Sequence, residues 1–357
     1  MNNLQDVLAA KQTLSGRLLH KGLAGGVVGM ASTRSVRAVV ASAGRNVHGV
    51  GIGYKVVNGV TTKDPCVRLY VVQKVATSLL PERDILPKQI DGILTDVIES
   101  SPAFFMEKKN AKPSKKKPSK TACSGNRQKR QRPIMAGISA AHYEVTAGTI
   151  SCFCRSTRAG DDSAKIYVMS NNHVLADVNK AQPGDDLYQP APADGGKSED
   201  HFAELFRYVN IQVDGSTPNR VDAAIGELLP NIKYNPRICT IGKITGIKKA
   251  KDGMKVCKHG RTTGYTEGVV TDVSYDALIG MDHLDASNVA FFEDQMRIEK
   301  VAPYSSFAEG GDSGSLVINK TTRRAVGLYF AGPPSGVYGV ANHIEDVLKE
   351  LEVELLL

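Results

Sequence analysis

From residue 134 to residue 357, the sequence is divided into short apolar runs that are separated by turn residues. Many runs are rich in β-branched residues, which favour strands, and their regular spacing is typical of a sandwich or a pair of barrels. The runs are TAGTISCFCR, AKIYVMSNNHVLA, NIQVDG, DAAIGELL, KITGIKK, GVVTDVSYD, MRIEKVAP, GSLVINK, AVGLYFAG and GVYGVAN. The sequence therefore predicts a mostly β domain over residues 134–357.

A single helix is predicted at the C-terminal end of this domain. Ile344, Val347 and Leu351 recur at helical spacing. Asn342 and Glu345 have the spacing of a capping box, which predicts that they start the helix.

The N-terminal part of the chain predicts a separate, small α/β domain over residues 1–106. Residues 3–19 carry leucines at helical spacing. Two apolar runs within 36–75 flank Asn58-Gly59, the strongest short signal for a hairpin. A third apolar run, 91–99, completes the domain. No catalytic pattern is found here, and we expect this domain to select substrates, regulate or drive assembly.

A basic segment, 107–133, separates the two domains. Its residues 108–132 hold 11 Lys and Arg and no acid. The remainder of the chain holds 34 basic and 37 acidic residues, a net charge of −3, so the excess of positive charge lies in residues 108–132. We interpret it as a disordered, solvated linker. Weak, nonspecific attraction to nucleic acid or an anionic surface is the alternative.

Composition excludes several classes of protein. No apolar run approaches the ~20 residues that span a bilayer, and the short Gly-rich stretch 22–31 is a poor signal sequence. The six cysteines are scattered, which indicates reduced thiols and a cytoplasmic location. Cys152 and Cys154 have no second ligand pair nearby, so we expect neither a metal nor a cofactor.

Three residues in the β-rich region form a candidate catalytic set. Ser313 lies between glycines in GGDSGS, His173 follows an apolar run, and Asp222 begins another. Alone, each has an ordinary explanation: a tight turn, a structural histidine, a capping aspartate. A serine hydroxyl needs a base and an orienting acid to act as a nucleophile, and together the three supply them. The motif G-x-S-x-G of α/β-hydrolases is absent, because Ser315 replaces its second glycine.

The motifs around these residues resemble those of chymotrypsin-like serine peptidases. GDSGS is similar to the family's nucleophile loop, SNNHVLA to its histidine segment, VDAAI to its acid segment and GVYGV to a strand of its specificity pocket. More narrowly, QPGDDLYQPAPADGG, NRVDAAI and GRTTGYTEG resemble the narrow-leaf-type branch of plants and bacteria. HGVGIGYKVVNG and VRLYVVQK resemble the N-terminal region of that branch.

This resemblance implies a double six-stranded β-barrel with a C-terminal helix. The first barrel would carry His173 as general base and Asp222 as its orienting acid. The second would carry the nucleophile Ser313. The backbone N–H groups of Gly311 and Ser313 would form the oxyanion hole.

The resemblance also implies a specificity pocket with Phe307 at its base and Gly332 and Gly336 on its walls. Such a pocket has no acid for Lys or Arg, so we expect a preference for aliphatic or aromatic side chains. In zymogen members of the family, the residue matching Asp312 pairs with an N-terminus that cleavage releases. Here Pro133 follows Arg132 and would resist that cleavage, so we expect a member that needs none. The partner of Asp312 stays open.

The function predicted from the sequence is that of a regulated intracellular serine endopeptidase that acts on protein or peptide substrates. The main alternative is a catalytically silent peptidase fold that binds a peptide or a partner protein. A nucleic-acid binder acting through 108–132 is a third class, although no aromatic residue is present there for base stacking. Homo-oligomerisation is left open.

Overall fold

The computed structural model describes residues 4–19, 46–105, 127–282 and 285–357. Residues 107–126 of the predicted linker lie outside the described residues. In the described part of the chain, no helix has both the length and the apolar character that crossing a membrane requires.

The chain forms two compact units. The first contains Met1–Phe104, Gln212–Asn219 and Thr271–Arg297, and the second contains Phe105–Ile211, Arg220–Val270 and Ile298–Leu357. The helices are α1 (Leu4–Leu18), α2 (Asn172–Leu175) and α3 (Ile344–Leu351). The strands before the middle of the chain are β1 (Val47–Val57), β2 (Val60–Val71), β3 (Gln89–Ile90), β4 (Ile93–Glu99), β5 (Ala103–Phe105), β6 (Ile134–Ala136), β7 (Ser139–His142), β8 (Gly148–Thr149), β9 (Cys152–Ser156) and β10 (Tyr167–Ser170). The later strands are β11 (Asp186–Tyr188), β12 (His201–Tyr208), β13 (Pro218–Asn219), β14 (Ala224–Leu228), β15 (Tyr234–Ile238), β16 (Lys255–Gly260), β17 (Gly264–Asp282), β18 (Asp285–Lys300), β19 (Leu316–Asn319), β20 (Ala325–Gly332), β21 (Tyr338–His343) and β22 (Val353–Leu355).

The first unit is a mixed sheet with one helix packed on it. Strand β1 pairs with β2 and with the distal part of β17, and β2 continues in parallel to β4. Val57 pairs with Val60, and Asn58 and Gly59 between them both have positive φ, so the predicted hairpin is confirmed. The predicted helix is also confirmed, and a buried ion pair between Lys11 of α1 and Asp276 of β17 fixes it to the sheet.

The second unit contains two β-barrels. The first uses β7, β9, β10, β11, β12 and β14, with β8 and β22 at the two ends of the strand order. In the second, the order β18-β21-β20-β19-β16-β17 is closed by pairing of β17 with β18. One continuous core of this unit includes Phe153, Met169 and Leu328. The predicted mostly β, double-barrel fold is therefore confirmed.

The unit boundaries differ from the predicted domains 1–106, 107–133 and 134–357. The predicted domain 134–357 contains all of β17 and β18, but each strand contributes residues to both units. Residues at the end of the predicted linker are hydrogen-bonded within the second unit: Arg127 donates to the carbonyl of Arg261 at 2.9 Å, and Gln131 N–H donates to Gln189 at 2.9 Å. The C-terminal end of the predicted basic linker is therefore part of the folded second unit.

The closing helix α3 is confirmed, but its predicted capping box is wrong. The N-cap is His343, and it makes no side-chain capping bond. The side chain of Asn342 is used elsewhere, because its Oδ1 accepts the backbone N–H of Asp222 at 3.1 Å.

Candidate active site

The base and the acid of the predicted set are in contact. His173 lies in the short helix α2, directly after strand β10, and only 1% of it is exposed. Its Nδ1 is hydrogen-bonded to Asp222 Oδ2, and its backbone N–H donates to Asp222 Oδ1 at 3.2 Å. Because a carboxylate only accepts, Nδ1 carries the proton. Nε2 is buried and has no hydrogen-bond partner among the described residues.

Asp222 is itself held by two asparagines that the sequence analysis did not identify. Its backbone N–H donates to Asn342, and its carbonyl accepts Asn171 Nδ2 at 2.8 Å. The aspartate is fully buried just before β14, where an unpaired carboxylate would be costly. Asn171 stands two residues before His173, and this proximity was the only sequence signal for its role.

Ser313 lies in the loop before β19, beside the strand that leads to His173. Its carbonyl accepts Thr149 N–H at 2.8 Å, and the carbonyl of Thr149 accepts Ser170 Oγ at 2.8 Å. A Cβ at Gly314 would overlap Ser170 Oγ, so only glycine permits this approach. The Ser313 hydroxyl donates to the carbonyl of Phe330 at 3.5 Å. The structure thus joins His173 to Asp222, whereas Ser313 is not hydrogen-bonded to His173.

The two backbone groups of the predicted oxyanion hole are available. Gly311 has a φ of 92°, and a Cβ there would lie 2.7 Å from Thr262 Oγ1. Within the described residues, neither Gly311 N–H nor Ser313 N–H donates a backbone hydrogen bond. The loop therefore presents two donors that could bind a developing negative charge.

The structure identifies a partner for Asp312. Lys258 of β16 lies with its Nζ 3.0 Å from Asp312 Oδ2, and both side chains are fully buried. Thr262 N–H and Thr263 N–H donate to Oδ1 at 2.8 and 3.1 Å, and Glu309 N–H donates to Oδ2 at 2.9 Å. Burial alone would raise the pKa of Asp312, but Lys258 and these donors hold that pKa below its usual value.

The segment that was compared with a zymogen cleavage site is part of the fold. Ile134 is buried in strand β6, and its N–H donates to the carbonyl of Lys233 at 2.9 Å. Strand β6 pairs in parallel with β15. Because Lys258 forms an ion pair with Asp312, the uncleaved chain already supplies the cation that a newly released N-terminus provides in zymogens.

The predicted pocket residues lie together. Phe307 is fully buried, and its N–H donates to the carbonyl of Gly336 at 2.7 Å. Its ring lies 6.1 Å from that of Tyr329. A Cβ at Gly332 would lie 3.1 Å from Tyr329 Oη, a buried hydroxyl with no hydrogen-bond partner among the described residues. Tyr329 is an addition to the predicted pocket; as one apolar position of a strand, it gave no sequence signal.

The structure also describes the surroundings of the acidic, histidine and cysteine side chains outside the candidate set. No group of three His, Cys, Asp or Glu side chains there could hold a metal ion. Cys152 and Cys154 are buried free thiols, and burial raises the pKa of Cys152 to about 12. They are not activated nucleophiles.

Two comparisons link the sequence to a plant protein. A family model described as the NARROW LEAF 1 N-terminal domain matches residues 34–97. Protein NARROW LEAF 1 of Oryza sativa subsp. japonica is 23% identical over 320 residues, which are 80% of this chain and 51% of that protein. The chain thus spans about half the length of this curated relative. These matches confirm the predicted resemblance to the narrow-leaf branch.

Solved structures of similar fold include three proteases. Thermobifida fusca Protease A is 17% identical with a TM-score of 0.43, covering 62% of this chain and 98% of that one. Nocardiopsis Protease is 16% identical with a TM-score of 0.44, covering 63% and 99%. A glutamic acid specific serine protease is 13% identical with a TM-score of 0.45, covering 62% and 100%.

Proposed function

We propose that this chain is a serine endopeptidase that uses Ser313, His173 and Asp222. The observation that carries the proposal is the pair of hydrogen bonds by which the carboxylate of Asp222 holds His173. Asp222 accepts from both Nδ1 and the backbone N–H of His173, and the buried Nε2 has no hydrogen-bond partner in the part of the chain that the structure describes. This geometry leaves Nε2 as the ring nitrogen that can accept the proton of a serine hydroxyl.

In the proposed reaction, Ser313 Oγ attacks the carbonyl carbon of the peptide bond while Nε2 of His173 takes the hydroxyl proton. The Oγ–C bond forms, and the negative charge moves to the carbonyl oxygen. The N–H groups of Gly311 and Ser313 would bind that oxygen, and one such donor contributes about 2.7–4 kcal/mol to stabilisation of the transition state.

The second half of the reaction returns the enzyme to its starting state. The imidazolium gives its proton to the amine nitrogen as the C–N bond breaks, which leaves an acyl group on Ser313. Water, deprotonated by His173, then hydrolyses this ester and restores the serine hydroxyl. The present hydrogen bond of Ser313 to Phe330 is long, at 3.5 Å, and catalytic hydrogen bonds commonly tighten only when substrate binds.

Casein turnover by purified full-length protein tests the proposal. We expect the wild type to release peptides, and Ser313→Ala to reduce the rate to background. Ser163→Ala, which removes an exposed serine of the same unit, is the matched control and should retain full activity. Equal turnover by wild type and Ser313→Ala would refute the assignment of the nucleophile.

The finer parts of the prediction belong to the same proposal. The substrate would be a protein or peptide, and the protease would be intracellular and regulated, with the N-terminal region restraining it or driving homo-oligomerisation. Binding of nucleic acid through 108–132 would be weak and salt-sensitive. A catalytically silent scaffold is the alternative, and the absence of a hydrogen bond between Ser313 and His173 favours it.

A further inference from the structure

The face of the imidazole of His173 is covered by an aromatic side chain of the same unit. Phe105, the last residue of β5 and the first of the second unit, has its ring centroid 4.8 Å from that of His173, with 31° between the planes. The same ring lies 6.1 Å from the ring of Phe330, whose carbonyl accepts the Ser313 hydroxyl. One side chain thus contacts both the candidate base and the residue that holds the nucleophile.

The candidate catalytic groups are closed to solvent in this arrangement. His173 and Ser313 are each 1% exposed, and Phe105 is 3% exposed. Among residues 4–19, 46–105, 127–282 and 285–357, Nε2 of His173 is buried without a hydrogen-bond partner, although the proposed reaction needs it beside an incoming peptide. A substrate side chain therefore cannot occupy the face of His173 while Phe105 covers it.

The surface under Phe105 has a defined chemistry. It includes the imidazole ring of His173 and the ring of Phe330, both of which offer flat, polarisable faces. Rings at centroid distances of 4.5–7 Å stabilise one another beyond their buried area. An aromatic or large apolar side chain fits this surface, whereas a small one would leave it poorly filled.

We propose that Phe105 occupies, from within the chain, the subsite that receives an aromatic or large apolar side chain of the substrate beside His173. This inference rests on the proposed function, and it adds a substrate preference and a restraint. A polypeptide substrate can enter this subsite only after the side chain of Phe105 has moved out of it. If the open form is a minor fraction of the protein, the apparent affinity for substrate is reduced by that fraction.

Labelling by a fluorophosphonate probe, which bonds to an activated serine with loss of fluoride, measures the restraint. The full-length chain is compared as wild type, Phe105→Ala, Phe105→Leu and Ser313→Ala. We expect Phe105→Ala to be labelled at least ten times faster than the wild type, Phe105→Leu to be intermediate, and Ser313→Ala to stay unlabelled. The matched control is Phe206→Ala, which removes an equal 4.8 Å ring contact with Tyr167 and should leave the labelling rate unchanged.

A competition assay in the same variants tests the substrate preference. The blocked peptide acetyl-Phe-Ala-amide should slow labelling of Phe105→Ala at concentrations where acetyl-Gly-Ala-amide does not. Wild type should need at least tenfold more of the phenylalanine peptide for the same effect. Equal competition by the two peptides would refute the aromatic subsite.

The outcomes separate this inference from the proposed function. If wild type and both Phe105 variants are labelled at Ser313 at equal rates, the restraint is refuted and the peptidase proposal stands. If no variant is labelled at all, the proposed function fails and this inference fails with it. Should Phe105→Ala unfold, which its thermal midpoint will reveal, Phe105→Leu provides the same comparison with most of the buried volume kept.

Discussion

At the scale of single residues, the candidate site depends on how Asp222 is held. The carboxylate is fully buried, and it contacts His173 through both oxygens. Asn342 and Asn171 fix the backbone of the aspartate on either side, at 3.1 and 2.8 Å. The direction of Asp222 is thus determined before any substrate binds, and this fixes the protonated nitrogen of His173.

The first prediction concerns Asp222→Asn. The amide can donate to Nδ1 and so favours the wrong tautomer of His173, which leaves Nε2 protonated and unable to act as a base. We expect kcat to fall by about 10⁴-fold with little change in KM, as in known serine triads. Steady-state hydrolysis of a peptide substrate measures both constants. A fall of less than tenfold would show that His173 does not depend on Asp222.

The second prediction concerns the buried hydroxyl of Tyr329. It has no hydrogen-bond partner among the described residues, and such a group costs about 1–3 kcal/mol to bury. Tyr329→Phe should therefore be as stable as the wild type or more stable in urea unfolding. A loss of more than about 1 kcal/mol would mean that the hydroxyl has a partner. Tyr338→Phe, on the adjacent strand β21, provides a comparison at another buried tyrosine.

At the scale of elements, sequence patterns located strands better than they located contacts between strands. The hairpin at Asn58-Gly59 and the closing helix α3 follow from local residue spacing, and both are confirmed. Asn342 was misread, because its local capping pattern competes with a bond to Asp222, 120 residues away. Lys258 could not be paired with Asp312, 54 residues later, since nothing local distinguishes a buried lysine on a strand.

The residues of the candidate site also differ in whether a local sequence pattern could identify them. His173, Asp222 and Ser313 were predicted because their motifs are local and their order is specific. Phe105 was not, since a phenylalanine in a short apolar run has the same pattern whether it packs in a core or on a catalytic histidine. Its position became visible only through the tertiary contact with His173.

The third prediction concerns the ion pair between β16 and the nucleophile loop. Lys258→Met leaves the carboxylate of Asp312 buried without its cation, so we expect a loss of about 3–5 kcal/mol of stability at pH 7. Lys320→Met is the matched control, because it breaks a pair with Glu267 in which the lysine side chain is 44% exposed; it should cost less than about 1 kcal/mol. Urea unfolding measures both.

The same pair gives a pH dependence. The pKa of Asp312 is below its usual value in the folded protein, so its contribution to stability is complete above the unfolded pKa of about 3.9 and is lost as the pH falls through the folded pKa. In Lys258→Met, protonation of Asp312 removes the buried charge and with it the free-energy cost of leaving that charge unpaired. The difference in unfolding free energy between wild type and variant should therefore shrink between pH 7 and pH 3. A constant difference would contradict the pairing.

At the scale of the whole molecule, the first unit is built from three stretches of the chain and not from the N-terminal region alone. The first unit includes residues 271–297, and Leu278, Val289 and Phe291 of that stretch belong to its core. These residues pack with α1 and β1–β4. Sequence analysis missed this because two strands that continue from one unit to the other look the same as strands of one domain.

The fourth prediction follows from the presence of residues 271–297 in the first unit. Deleting residues 1–104 should expose the apolar residues of 271–297 and an unpaired edge of β17, and we expect the product to aggregate on size-exclusion chromatography. A second deletion that also replaces 271–297 by a short turn removes the exposed surface and should elute as a defined species. Equal behaviour of the two deletions would show that the first unit does not protect these residues.

The most direct measurement is the identification of the labelled residue. Full-length wild type, Ser313→Ala and Phe105→Ala are treated with a fluorophosphonate probe, digested and mapped by mass spectrometry. We predict one adduct in the wild type and in Phe105→Ala, located on Ser313, and none in Ser313→Ala. An adduct on another residue, or none in wild type and Phe105→Ala alike, would contradict the claim that Ser313 is an activated nucleophile.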